Sequence, residues 1–279
     1  NLEMPDIYGE TPLFVAMRHG KLPMIKILVT AGANINHLNN NGENVLFLAI
    51  RWGRKDLVEY FLSLGINCDV INKTLNTPLL VALEFLEHNP CGTGRSTRRC
   101  ATRRSAPSNI AEITELLIPA TGKLNHVHPN KGAALRIMLS IETKHSSHDL
   151  KLSRLLMQHG AVPDRFFFLR FGGLQAVTTA PGAQFFTHEF FSLALEAGAM
   201  IQREKIWLLM VTTQMPEELR PHEKLFQELL TKAMSPLSLQ AQTVIYIRHK
   251  LGEHLWKKID ELPLPNAIKD LLKLQYTMG

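Results

Sequence analysis

A spacing of 33 residues constrains this chain more than any other feature. Gly9 and Gly42, Thr11 and Asn44, Leu13 and Leu46, Ala16 and Ala49, and Gly32 and Gly65 each recur at that interval, and Leu79 and Ala82 continue the series. A fixed period of this length marks a stack of similar units, each too small to bury its own apolar faces. The first unit is defined by Asp6, Gly9, Thr11, Pro12, Leu13, Ala16, Gly20, Leu28, Gly32, Ala33 and Asn36. Each anchor has a physical role. Thr11 can cap a first helix, and Pro12 suits its first turn, where a missing N–H costs little. Leu13 and Ala16 face the neighbouring unit, with Ala16 small enough to let helices approach. Gly20 suits a left-handed turn between helices. Ile25, Leu28 and Val29 give the second helix an apolar stripe, which Gly32 ends.

These anchors resemble the ankyrin repeat, which implies a solenoid of helix pairs with an exposed concave surface. The second repeat, Asn39 to Asn72, keeps Gly42, Leu46, Ala49, Gly53, Leu57, Val58, Leu62 and Gly65, with Asn44-Val45 in place of Thr-Pro. The third opens at Thr77, Pro78, Leu79, Leu80, Val81 and Ala82. A Gly, Ser, Thr and Arg-rich stretch then interrupts it, before Ile110, Ile113, Leu116 and Leu117 resume a helix. Ala134 to Leu139, then Leu152, Leu155, Leu156 and Gly160-Ala161, scan as a fourth helix–loop–helix unit. Phe166 to Ala199 reads as a fifth, with Phe190, Phe191, Leu193, Leu195, Gly198 and Ala199 imitating a second helix. Leu208 to Val211 and Leu225 to Leu230 read as a closing pair. Asn1 to Asp6 reads as the tail of an earlier repeat, so the chain is expected to continue upstream.

The stretch from Ser235 onward carries different information. Ser235 and Pro236 suit a helix start, and Leu239, Thr243 and Ile247 follow at four-residue spacing on one face. Leu262, Pro263, Leu264 and Pro265 come next, and Ile268, Leu271 and Leu272 mark a last helix. This order resembles the SOCS box. In that family a first helix carries a small residue or Pro, then Leu, a Cys four positions on and an aliphatic residue four beyond. Here those places hold Ser238, Leu239, Thr243 and Ile247. Thr243 replaces the usual Cys, and its hydroxyl needs a partner wherever it is buried. The Leu-Pro-x-Pro segment is complete at Leu262 to Pro265.

Together the two resemblances imply an all-α chain: an ankyrin-repeat domain over 1–230 and a three-helix SOCS box over 235–276. Within the first, clear repeats occupy 1–87, the arginine-rich insertion 88–109 and degenerate repeats 110–230. The combination resembles the ankyrin-repeat and SOCS-box family. That resemblance implies a substrate-recognition adaptor of a ubiquitin ligase. Ser238, Leu239, Thr243 and Ile247 would bind elongin C with its partner elongin B. Leu262, Pro263, Leu264 and Pro265 would select cullin-5 with its RING subunit, and the repeats would hold an unknown protein substrate. Such an adaptor is not itself an enzyme and needs no cofactor. A non-degradative ankyrin scaffold with a helical C-terminal cap is the alternative, and elongin binding separates the two.

Composition narrows the remaining classes. No run of about eighteen apolar residues lacks charge, so no membrane span is expected. Cys68, Cys91 and Cys100 form no Cys-x-x-Cys pair and are odd in number, which argues against a disulfide framework and fits a reducing compartment. The cytoplasm is the expected location, with the nucleus also open. The formal charge of +6 falls to +1 without Arg95, Arg98, Arg99, Arg103 and Arg104. The basicity is therefore local and nucleic acid is not an expected partner. That cluster reads as a solvated loop. An acidic partner, nuclear targeting or phosphorylation near Ser105 are its other readings. His126 with His128, and His145 with His148, lack the spacing of zinc ligands and read as solvated loop histidines. Gly92 with Gly94, and Gly172 with Gly173, lack a strand-to-helix context for phosphate. No Gly-x-Ser-x-Gly or His-Glu-x-x-His motif occurs.

Overall fold

A computed structural model describes residues 1–20, 22–88, 109–144, 151–162, 197, 231, 239–251 and 255–273. Among them the chain forms helices and one short hairpin. It divides into two compact units, Asn1–Ile137 and Met138–Gly279.

The first unit follows the 33-residue period. Its helices are α1 (Pro12–Arg18), α2 (Leu22–Thr30), α3 (Val45–Arg51), α4 (Lys55–Ser63), α5 (Pro78–His88) and α6 (Ile110–Ala120). α1 packs on α2, α3 on α4 and α5 on α6, while α1 meets α3, α3 meets α5 and α4 meets α6. Leu13, Leu46 and Leu79 are buried at the equivalent places, as are Ala16, Ala49 and Ala82. Fully burying one such leucine contributes about 2 kcal/mol. The phenylalanines Phe14, Phe47 and Phe61 complete the interior.

Before each helix pair the chain makes one tight turn. Asp6 Oδ1 accepts hydrogen bonds from the Tyr8 and Glu10 amides, Asn39 Oδ1 from Asn41 and Glu43, and Asn72 Oδ1 from Thr74 and Asn76. Residues three further on adopt the left-handed conformation: Gly9 at φ 75°, Gly42 at φ 73° and Leu75 at φ 60°. Gly9 is also required by space, since a Cβ there would lie 2.8 Å from the Asn40 nitrogen. Leu75 is the one non-glycine with positive φ among the described residues.

At the caps the sequence reading is corrected in one detail. Thr11 stands before α1 without making a side-chain bond to it, whereas Thr77 Oγ1 accepts from the Leu80 amide and caps α5. Pro12 does occupy the first turn of α1. The second helices end alike. The Ala33 amide reaches Leu28 O, Ile66 reaches Phe61 O and Ala161 reaches Leu156 O, each just after a left-handed glycine.

The insertion leaves this register intact. Glu3 accepts from the amide of Asn34, Asn36 from Asn67 and Asp69 from Lys123, at separations of 31, 31 and 54 residues. The third repeat thus carries 23 extra residues, taken up by a longer α5 and the connection to α6, yet places the same contact at its end. The arginines of this insertion lie outside the described residues.

Beyond α6, β1 (Val127–His128) pairs antiparallel with β2 (Gly132–Ala133), Val127 opposite Ala133 and His128 opposite Gly132. α7 (Ala134–Lys144) follows directly. In the second unit α8 (Lys151–Gln158) ends at Gly160-Ala161 as the fourth-repeat reading expects. The fifth repeat and the closing pair fall almost wholly outside the described residues. The unit closes with α9 (Leu239–Leu251), α10 (Leu255–Glu261) and α11 (Asn266–Leu272).

Candidate functional site

The repeats build one continuous surface from their turns and first helices. Consecutive turns are joined, the Asn40 amide donating to Tyr8 O and the Lys73 amide to Asn41 O. Ion pairs then tie each turn to the last turn of the helix that follows. Arg18 meets Glu10 at 2.6 Å, and Arg51 clasps Glu43 through both guanidinium nitrogens. The acids are buried and the guanidiniums remain half open, so the member of each pair that faces outward is the arginine. Asn72 Nδ2 adds a third donor to Glu43 from the next turn, at 2.8 Å. The third repeat inverts the pattern. Asn76 holds the place of the buried acid, Glu84 holds that of the arginine, and Lys131 bridges to both. Both charged pairs recur at 33 residues, but a search confined to glycine and apolar anchors passes over them.

Aromatic and aliphatic side chains interleave with these charges. Ile7 and Tyr8 project from the first turn, and Trp52 is exposed after α3. An exposed row of mixed aromatic and charged groups on a rigid backbone suits recognition of another protein.

The histidines of the hairpin are structural, contrary to the solvated-loop expectation. His128 is buried, with Nε2 3.0 Å from Thr74 O, and its Nδ1 accepts from the Asn130 amide. His126 Nε2 lies 2.9 Å from Leu75 O, as His37 Nε2 lies 2.9 Å from Gly9 O. A turn whose carbonyls point outward needs donors, and the following element supplies them. His145 and His148 lie outside the described residues. Among those described, no cluster of three His, Cys, Asp or Glu residues could hold a metal. No described helix is long and apolar enough to cross a membrane. Cys68 is buried, its Sγ 3.5 Å from Ile66 O.

The terminal module is small and separately cored. Val244, Leu255, Ile259 and Leu272 are buried together, with Ile247, Leu251 and Leu264 packed against them. Lys269 Nζ donates to Asp260 O and Lys273 Nζ to the Asp260 carboxylate, stitching α11 to α10. The structure separates the residues singled out in sequence. Thr243 is exposed on α9 near Tyr246 and Lys250, whose ammonium sits 5.6 Å over the Tyr246 ring. Ile247 turns partly into the module's own core. Leu239 opens α9, and Ser238 lies outside the described residues. Leu262 to Pro265 form the link between α10 and α11, with both leucines half-buried and both prolines exposed.

Sequence reasoning gave no sign of Arg248. Although charged, it is 6% exposed, and its guanidinium donates to Leu272 O at the end of α11 and to Met157 O at the end of α8, 2.6 Å away. Within the second unit it joins the terminal module to the last turn of α8. Helix C-termini leave carbonyls unpaired, and a planar guanidinium can serve two at once. His159, one turn on, is held neutral, burial lowering its pKa to about 4.

Comparison with known proteins bears on one end of the chain. Residues 1–72 match the family model described as ankyrin repeats (3 copies). No curated protein matches the chain. The N-terminal residues are therefore ankyrin repeats, a module of protein–protein interaction.

Proposed function

We propose that the chain is a substrate receptor of an elongin B/C–cullin-5 RING ubiquitin ligase, holding a target protein on its repeats and the ligase on its terminal module. The observation that carries this reading is the form of the module. Three short helices close on their own core and leave Thr243 on the outer side of α9, with Pro263 and Pro265 exposed between α10 and α11. In the proposal α9 docks on elongin C, with Leu239, Thr243 and Ile247 at the contact, preceded by Ser238. Leu262 to Pro265 select the cullin. Target binding falls to the surface from Tyr8 to Glu84, whose arginines favour an acidic segment. No catalysis belongs to the chain itself. A tethered ubiquitin carrier is brought beside a target lysine, which raises its effective concentration. The proposed setting is the cytoplasm, with the nucleus also open.

One observation favours a second reading. Arg248 fastens the module to α8, as a helical cap closing a non-degradative scaffold would require. A pull-down of the chain with purified elongins B and C separates the two. Wild type binds under the proposal, Leu239→Ala weakens binding by about 2–4 kcal/mol, and Thr243→Cys tightens it. No capture by wild type, or a Leu239→Ala variant that binds equally well, leaves the cap reading standing.

A further inference from the structure

Three turns of the first unit are built on an oxygen acceptor, and the hairpin that follows α6 is built on a nitrogen. The oxygens belong to Asp6, Asn39 and Asn72. His128 stands 56 residues after Asn72, one repeat plus the 23 extra residues of the third, and so holds the corresponding place. Its Nδ1 receives the Asn130 amide at 3.1 Å and the Lys131 amide at 3.3 Å, while Nε2 lies 3.0 Å from Thr74 O.

Each of these partners is a backbone group with a fixed role. Amides only donate, so Nδ1 carries no proton; the carbonyl only accepts, so Nε2 carries one. The closed hairpin thus requires the neutral Nε2–H ring. A proton arriving at Nδ1 turns its acceptor into a donor facing two donors. The ring is 7% exposed, so little solvent can stand in for the partners it loses. An asparagine oxygen, as in the second and third turns, takes up no proton in the range where histidine ordinarily changes charge.

The charged and titratable groups around the ring are Lys73 in the turn it clasps, His126 and Lys131 in the hairpin, Glu84 of α5 and Arg136 of α7. Arg136 lies against Gly132, which pairs with His128 across the strands. A charge gained at His128 therefore meets Lys73, Lys131 and Arg136 against the carboxylate of Glu84, which Lys131 already holds at 3.0 Å. Repulsion adds to the loss of hydrogen bonds.

We propose that the β1–β2 hairpin is a proton-operated latch on the third turn, closed on Thr74 while His128 is neutral and opened when Nδ1 is protonated. The open form binds one more proton, so acid favours it by at most about tenfold per pH unit. Opening withdraws Lys131 from Asn76 and Glu84, and the third repeat then shows an uncovered carboxylate where the closed form shows a paired one.

The test follows the full chain by amide exchange. Protection at Asn130 and Lys131, corrected for the intrinsic pH dependence of exchange, is expected to fall by about tenfold as pH is lowered from roughly 7 to 5, with α3 unchanged. His128→Asn, which supplies the side chain of the second and third turns, is expected to keep the hairpin closed and make its protection flat over that range. His126→Asn is expected to leave the wild-type fall in place. Imidazole nitrogen shifts of the wild-type chain give a second reading that needs no variant. They should show the Nε2–H tautomer at neutral pH and protonation of the ring in step with the loss of protection. Constant protection while the ring titrates overturns the proposal, as does an Nδ1–H ring at neutral pH. So does a fall that survives His128→Asn or is shared equally by α3.

Discussion

Leu75 shows how much of a repeat a single residue can strain. It stands where the two earlier turns have glycine, at φ 60°, a conformation costing a non-glycine residue roughly 1–2 kcal/mol. The turn survives because Asn72 holds two amides and His126 takes the Leu75 carbonyl. Leu75 is 46% exposed, so its side chain contributes little packing. Leu75→Gly is accordingly expected to stabilise the first unit by about 0.5–1 kcal/mol in urea unfolding. His159 makes the opposite kind of contribution, through protons. Its folded pKa of about 4 lies below its ordinary 6.5, so the unfolded chain binds more protons between those values. Stability of the second unit should be full above pH 6.5 and fall as pH drops toward 4. His159→Gln should flatten that slope in pH-dependent melting.

At the level of elements, the repeats were legible where packing repeats itself. The interval of 33 residues locates α1 to α5 because each helix pair meets the same neighbours, and it foretells the terminal turns after Gly32 and Gly65. What the pattern could not show are contacts with no local rhythm. His128 reaches Thr74 across 54 residues, and Arg248 reaches Met157 across 91, each ending on a backbone carbonyl that any residue would supply. Such a partner leaves no trace in residue type. The Asp69 contact is the most concentrated of these. One carboxylate oxygen accepts from the Thr121 hydroxyl and from the Gly122 and Lys123 amides. Hydrogen bonds to a charged group are strong, so Asp69→Ala should cost about 2–3 kcal/mol. Amide exchange at Gly122 and Lys123 would report the loss. Unchanged exchange there would show that α5 and α6 alone fix the loop.

For the molecule as a whole, the repeat surface was legible from spacing and the joints were not. Thr243 and the paired prolines were singled out by resemblance and their role is a proposal, whereas the partial packing of Ile247 against the module's own core depends on how three short helices close. Arg248 is the joint within the second unit. Replacing it with Met removes the charge and takes the guanidinium donor from the Leu272 and Met157 carbonyls, Met157 keeping only the Gly160 amide, a loss of about 1–3 kcal/mol. Exchange in α8, α9 and α11 is expected to rise together in that variant, and a rise confined to α9 would argue against the joint. The long connection between α5 and α6 has a consequence of another kind. Its residues, 89–109, enter between helices that already hold each other, where each doubling of a loop costs only about 0.6 kcal/mol. Height along the first unit is thus counted in helix pairs and not in residues. That junction is a socket: a sequence grafted there could lengthen the chain and bring its own chemistry, while every rung on either side stays where it was.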